Sequence, residues 1–357
     1  MFRIRDVSAA ALEIELTEPF GIATGAQLRA NNALVTVVLE DGSVGLGEAA
    51  PFPAVNGETQ AQALSAIAAA RDLLVGQDAG RWRHLARRIS EPTQRTPSAR
   101  CAIETALLDA VARSRGISLW HWFGGAEPEL ATDLTIVTGD LSHARRSTES
   151  ALARGFETLK IKVGGAAPEL DLERIRAIVD SAPACRLVLD ANAALSARAA
   201  IDLVRALGPL SARVVLFEQP TPAADPGALR EVREATGLAI AADESARSAA
   251  DVARLATLLA ADVINIKITK SGLSEALDMI AAARAHGLRL MIGGMVESVL
   301  AMTTSACLAA GQGGFDFVDL DTPLFMRDAP LRGGWEQTGA RLRVDHIARG
   351  HGVELRQ

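Results

Sequence analysis

The chain has 357 residues, which exceeds one usual domain and is enough to bury at least one large core. Hydrophobic residues make up 49% and charged residues 22%, and a net charge of −6 with scattered Lys and Arg gives no basic surface for nucleic acid. Aromatic residues are 4% with no Tyr, so stacking platforms for bases are not expected, and no apolar run is long enough to span a bilayer.

The N-terminal MFRIRDVSAA lacks the apolar stretch of a signal peptide. Cys101, Cys185 and Cys307 are odd in number, far apart and without metal-type spacing. A reducing, cytoplasmic setting with no membrane partner is the expectation.

In chain order, Leu12, Ile14 and Leu16 alternate with Glu13 and Glu15, the period-2 pattern of a half-buried strand. A second run, 34–39, meets Asp41-Gly42 and then Val44 and Leu46, which predicts a hairpin. Between them GIATGAQLRANN reads as a loop too long for a tight turn, and such loops are usually functional or mobile. Helical patterns follow over 59–75 and 98–115, the latter ending at Gly116. This layout predicts an α+β domain over residues 1–125.

From Leu134 onward, short apolar runs alternate with Ala-rich helical stretches. The runs are LTIVTG, TLKIKVG, RLVLDAN, VVLFEQP, LAIAADES, VINIKITK, LRLMIGG and FVDLD. Repeated strand–helix units imply a parallel sheet, and about eight of them imply a (β/α) barrel with one incomplete unit. The predicted class is α/β, a modified (β/α)7β barrel over 126–325. A C-terminal segment, 326–357, is expected to pack back on the capping domain and complete it.

Functional groups of such a barrel sit at the C-terminal ends of its strands. There the sequence places Lys160 and Lys162, two apart and on one face, then Asp190, Glu218, Asp243 and Lys267, each one strand–helix unit after the last. Taken singly, each acid would cap the next helix. In register and flanked by lysines, three carboxylates would repel one another unless a divalent cation joined them, and hard oxygen ligands favour Mg²⁺. A proton alpha to a carboxylate is barely acidic, so its removal needs a strong base and stabilisation of the enediolate. Burial, Lys160 and Mg²⁺ would lower the pKa of Lys162 toward that task.

The order KxK, DxN, EQP, ADES and NIK resembles the enolase superfamily, within its muconate lactonizing enzyme subgroup, over essentially the whole chain. The resemblance implies one Mg²⁺ per subunit on Asp190, Glu218 and Asp243. It also implies Lys162 and Lys267 as an acid/base pair on opposite faces of the substrate, with Lys160 in support. The mandelate racemase subgroup carries a histidine after the seventh strand, and MIGGMVES has none. The last strand, FVDLDTPLF, is similar to the DxD motif of dipeptide epimerases, which implies that Asp319, with Asp321 beside it, binds a free α-ammonium.

By that resemblance the epimerised second residue reaches toward the loop carrying Gly25 and toward the Met295–Val299 stretch. Arg29 is that loop's only cation, and Val299 stands where members acting on Ala-Glu have a lysine. A neutral or hydrophobic second residue is therefore expected, since a glutamate would lose water and gain no partner. o-Succinylbenzoate synthase, muconate cycloisomerase and N-acylamino acid racemase share the two lysines, but their substrates have no ammonium to meet Asp319. A non-catalytic binding protein on the same scaffold would be expected to have lost part of the set. Barrels of this kind often assemble, so a homo-oligomer is compatible with the sequence.

Overall fold

A computed structural model describes residues 2–22, 25–165 and 167–356. The chain opens with a long antiparallel hairpin, β1 (Ile4–Ile22) and β2 (Gly25–Leu39), followed by β3 (Val44–Ala49). Leu12, Ile14 and Leu16 are buried and Glu13 and Glu15 exposed, as the alternation requires. Residues 23 and 24 of the stretch read as a loop lie outside the described residues, and on either side of them the stretch continues this hairpin, with Phe20 opposite Gln27, Gly21 opposite Ala26 and Ile22 opposite Gly25. Its small residues carry no apolar alternation, but backbone pairing needs none. Gly21 is required there, since a Cβ would lie 2.2 Å from Thr138 Oγ1 of the barrel.

Five helices follow: α1 (Pro53–Asn56), α2 (Gln60–Leu74), α3 (Trp82–Arg88), α4 (Pro97–Arg115) and α5 (Leu119–Trp122). The Thr59 side chain caps α2 in a reciprocal box with Gln62, and Gly116 ends α4 in the left-handed region. α4 is buried along most of its length because it lies between β3 and the barrel helices. Gly45 and Gly47 permit this approach, as a Cβ on either would sit about 2 Å from the α4 carbonyl oxygens of Ala106 and Ala102.

The strip β4 (Glu129–Ala131) leads into eight parallel strands in chain order. They are β5 (Leu134–Ile136), β6 (Thr158–Lys162), β7 (Arg186–Asp190), β8 (Val214–Glu218), β9 (Ile240–Ala242), β10 (Val263–Ile266), β11 (Arg289–Ile292) and β12 (Phe317–Val318). The intervening helices are α6 (Leu141–Ala153), α7 (Pro168–Ser181), α8 (Ala197–Leu207), α9 (Pro226–Thr236), α10 (Ala249–Thr257), the single turn α11 (Ile268–Ser271) with α12 (Leu273–Ala285), and α13 (Val299–Gln312). Asp133 N donates to Val318 O (2.9 Å) and Leu320 N to Thr132 Oγ1 (2.9 Å), joining the first strand to the last. The architecture is a (β/α)7β barrel behind an α+β cap. Among the described residues no helix is long and apolar enough to cross a membrane.

The tail is shared between both parts. β13 (Met326–Arg327) pairs with β1, and His351 is buried against Asp109 and Leu46 O of the cap. β16 (Arg341–Arg343), paired with β15 (Glu336–Thr338), runs beside β4 at the foot of the barrel, and β14 (Leu331–Gly333) pairs with β17 (Val353–Leu355).

Cap and barrel are joined by buried acids. Glu48 of β3 accepts from Ser298 N (2.9 Å), Ser298 Oγ and Ala301 N (3.2 Å) at the start of α13. Glu104 of α4 accepts from Ser274 N (2.7 Å) at the start of α12. Burial pushes the Glu104 carboxyl from its ordinary 4.5 to about 7. A raised folded-state pKa favours folding fully below 4.5 and loses that contribution as pH rises through 7. Glu104→Gln keeps an acceptor for Ser274 N and removes the ionisation. It should stabilise the fold at pH 8 by about 3 kcal/mol, since each pKa unit is worth about 1.4 kcal/mol. The gain should shrink toward zero at pH 4.5. Urea denaturation at the two pH values measures it, and an equal effect at both removes the explanation.

Candidate active site

The barrel interior is layered by the strand period. Val188, Leu216, Ala241, Val263 and Met291 pack as an apolar floor. Two residues further along four of these strands, one layer up on the same face, come Asp190, Glu218, Asp243 and Asn265. Lys160 is opposite Val188 in register and Lys162 opposite Asp190, which is opposite Glu218. Sequence spacing therefore translates into a row of carboxylates on β7, β8 and β9.

Strand order sets what faces what. In a ring of eight, β6 and β10 are four strands apart, so Lys162 and Lys267 stand on opposite sides of the barrel mouth. The carboxylate row occupies the strands between them on one side, and β12 with Asp319 and Asp321 lies across on the other. One cavity is lined by Lys160, Lys162, Asp243, Lys267, Asp319 and Asp321, with Asp190 and Glu218 fully buried beneath.

The ionic contacts are short. Lys162 Nζ is 2.6 Å from Asp190 Oδ2. Lys160 Nζ lies 2.9 Å from Asp190, 2.8 Å from Glu218 and 2.7 Å from Asp319. Lys267 Nζ is 2.7 Å from Asp243 Oδ2, and Asn265 Nδ2 donates to Glu218 Oε1 (2.8 Å). Burial would raise the Asp190 and Asp243 carboxyls, but the lysines outweigh it and hold both well below the usual carboxylate range. Burial works against the charged form of Lys267, yet the Asp243 and Glu218 carboxylates leave its pKa raised. Burial and the adjacent Asp190 carboxylate push Glu218 up.

A second acidic group faces this one. Oxygens of Asp133, Asp319 and Asp321 lie within 4.8 Å of one another. Thr135 N donates to Asp321 Oδ2 (2.6 Å), and burial followed by the Asp319 charge pushes Asp321 up to about 7. Asp133 Oδ1, Asp321 Oδ1 and Glu244 Oε2 are buried without a hydrogen-bond partner. Across the site, Asp133, Asp190, Glu218, Asp243, Glu244, Asp319 and Asp321 outnumber Lys160, Lys162, Lys267 and Lys270. This surplus of hard oxygens and negative charge fits a divalent cation together with a cationic substrate group.

Of the residues singled out from the sequence, Met295, Asp319 and Asp321 line the cavity, whereas Gly25 and Val299 do not. Gly25 begins β2, where an added Cβ would meet Ala54 of α1 at 3.1 Å. Val299 opens α13 on the side of Gly334, because the helix starts at the Ser298 cap and turns this side chain away. Arg29 is held on the outer face of the hairpin by Glu13 (3.7 Å) and Glu15 (3.6 Å). The wall over the cavity is apolar instead, made by Phe20, Phe52 and Val55 of the cap with Met295.

Sequence reading missed Lys270, whose buried Nζ is 2.6 Å from both Asp243 Oδ1 and Asp243 O. Its position three after Lys267, on the single turn α11, was the available signal. It gave no role to Glu244 and Asn265, although both lie within the ADES and NIK motifs, and it missed Asp133 and the cap residues, which nothing local distinguishes from ordinary core.

Two family models match the chain: the mandelate racemase/muconate lactonizing enzyme N-terminal domain over residues 4–124, and the enolase C-terminal domain-like family over 143–357. The aromatic dipeptide epimerase of Herpetosiphon aurantiacus is 49% identical over 352 residues, covering 99% of both chains. The chain belongs to the dipeptide epimerase family of the enolase superfamily. Among solved structures, a mandelate racemase/muconate lactonizing protein from Herpetosiphon aurantiacus superposes with a TM-score of 0.96 at 49% identity, over 100% of this chain and 99% of that one. A dipeptide epimerase from Enterococcus faecalis, complexed with Mg and the dipeptide L-Leu-L-Tyr, gives 0.94 at 31% identity over 99% of each chain. An epimerase of this family is an isomerase.

Proposed function

We propose that this protein is a Mg²⁺-dependent dipeptide epimerase acting on dipeptides whose second residue is neutral or hydrophobic. The observation that carries the reading is the placement of Lys162 and Lys267 on opposite sides of one cavity, with a carboxylate row between them. Asp190, Glu218 and Asp243 would hold the metal, as three carboxylates at the ends of three consecutive strands between the two bases. The chemistry Mg²⁺ supplies there is stabilisation of the enediolate charge as it forms. Lys162, as the amine, takes the alpha proton from one face, and Lys267, as the ammonium, delivers one to the other; the roles exchange for the opposite stereoisomer. Lys160 balances the charge beneath Lys162.

Asp319 and Asp321 take the α-ammonium, for which a buried acidic group with unpartnered oxygens is suited. The apolar wall of Phe20, Phe52, Val55 and Met295 then faces the second side chain, with Arg29 engaged elsewhere. Residues 1–125 act as the specificity cap, 126–325 as the catalytic barrel and 326–357 as the segment binding the two. The substrate is the one partner the site calls for, and the free, buried cysteines accord with a cytoplasmic location.

The test is kcat/KM for Ala-Phe, Ala-Leu, Ala-Lys, Ala-Glu and N-acetyl-Ala-Phe, read by deuterium incorporation at the alpha carbon. Ala-Phe and Ala-Leu should exceed Ala-Glu by about tenfold or more, the cost of burying a carboxylate without a partner. Acetylation should lower turnover by about 30-fold or more, since one partner of a buried charge pair is lost. A clear win for Ala-Glu rejects the hydrophobic preference. Acetylated substrate working as well as free substrate would make the protein an N-acylamino acid racemase.

A further inference from the structure

Gln219 directly follows Glu218, at the point where β8 leaves the barrel. Its backbone φ is 34°, in the left-handed region that a side-chain-bearing residue keeps only where its surroundings over-determine it. Asn192 and Ala193, at the exit of β7, share that region with φ of 44° and 62°, and Ala193 N donates to Gln219 O (2.8 Å). The exits of two ligand-bearing strands are therefore locked to each other.

The Gln219 side chain extends the lock to the third. Its Oε1 accepts from Asp243 N (2.8 Å) and Ser245 N (3.1 Å). Its Nε2 donates to Thr221 O (2.9 Å) and Ser245 Oγ (2.7 Å). The residue is fully buried and both ends of its amide are in use. A glutamine needed only to fill space has no reason to be aimed at the amide of one acid in the row. The Asp243 carboxylate is meanwhile gripped by Lys267 and Lys270, so Gln219 fixes the backbone from which that carboxylate projects.

We propose that Gln219 is a positioning residue that holds Asp243, and through it the Asp190–Glu218–Asp243 row, in the arrangement that binds a divalent cation. The inference rests on the reading that this row is the metal site. The experiment is titration of metal-stripped protein with Mg²⁺ by calorimetry, with no substrate present. Gln219→Leu should raise the Mg²⁺ Kd about 10–100-fold, the range for losing a group that orients a metal ligand. Ser245→Ala removes one of the four contacts, keeps Gln219 Oε1 on the Asp243 and residue 245 amides, and should stay within about threefold of the wild type.

Unchanged affinity in a folded Gln219→Leu variant overturns the proposal, as does an equally large loss in both variants. Should Gln219→Leu fail to fold, hydrogen exchange in the wild type decides: Asp243 and Ser245 amides exchanging as fast as exposed ones overturn it, and protected ones support it. Failure of the wild type itself to bind Mg²⁺ would instead remove the metal reading on which the proposal stands.

Discussion

Lys162→Ala and Lys267→Ala should each abolish net epimerisation, by about 10³-fold or more, while leaving exchange of the alpha proton from one face. The expectation follows from the ring order, since β6 and β10 are diametrically opposed and the substrate's alpha carbon must lie between them. Removing one lysine leaves the other able to take and return a proton on its own side. Such a variant should wash deuterium into one stereoisomer without inverting it. Which isomer exchanges should be opposite in the two variants, and proton NMR in deuterated water reads this directly. If both variants keep near-normal inversion, or both exchange the same isomer, the two-base assignment is wrong.

Asp190→Asn, Glu218→Gln and Asp243→Asn should each weaken Mg²⁺ binding and remove most activity. Each takes away a negative charge on the cation while nearly preserving shape. The structure adds a second consequence. These carboxylates are the counter-ions of buried lysines, so Asp243→Asn strands Lys270 and leaves Lys267 with only the more distant Glu218, and Asp190→Asn strands Lys162 while Lys160 keeps Glu218 and Asp319. Leaving one side of a buried ion pair alone costs about 3–5 kcal/mol, so the metal-free variants should also lose stability. Calorimetry with Mg²⁺ and denaturant unfolding in chelator measure the two effects separately. Full activity of the wild type after verified removal of metal would contradict the metal's role.

Legibility differed sharply between the barrel and its cap. Most barrel strands are short apolar runs, because a parallel sheet is covered on both faces, and those from β6 to β10 end at or next to a charged residue that recurs once per strand–helix unit. KxK, DxN, EQP and ADES therefore betray their positions without any long-range information. The cap is harder to read. The hairpin of β1 and β2 continues to Ile22 and resumes at Gly25, where small residues give no period and pairing is decided by the partner strand and by the fit of Gly21 against Thr138.

The sequence by itself determined the fold class, the row of acids and both lysines, because a period of two along a strand and a fixed repeat between strands are properties of a single chain segment. Tertiary structure alone decided that Lys162 faces Lys267, since opposition depends on the closure of eight strands into a ring. It alone turned Arg29 outward onto Glu13 and Glu15 and Val299 away from the cavity, and it put Phe20, Phe52 and Val55 over the cavity. Arg29 is placed by its cross-strand neighbours in the hairpin, and the apolar wall arises where cap meets barrel, from residues far apart in the chain, so no local pattern encodes which side chains will meet there.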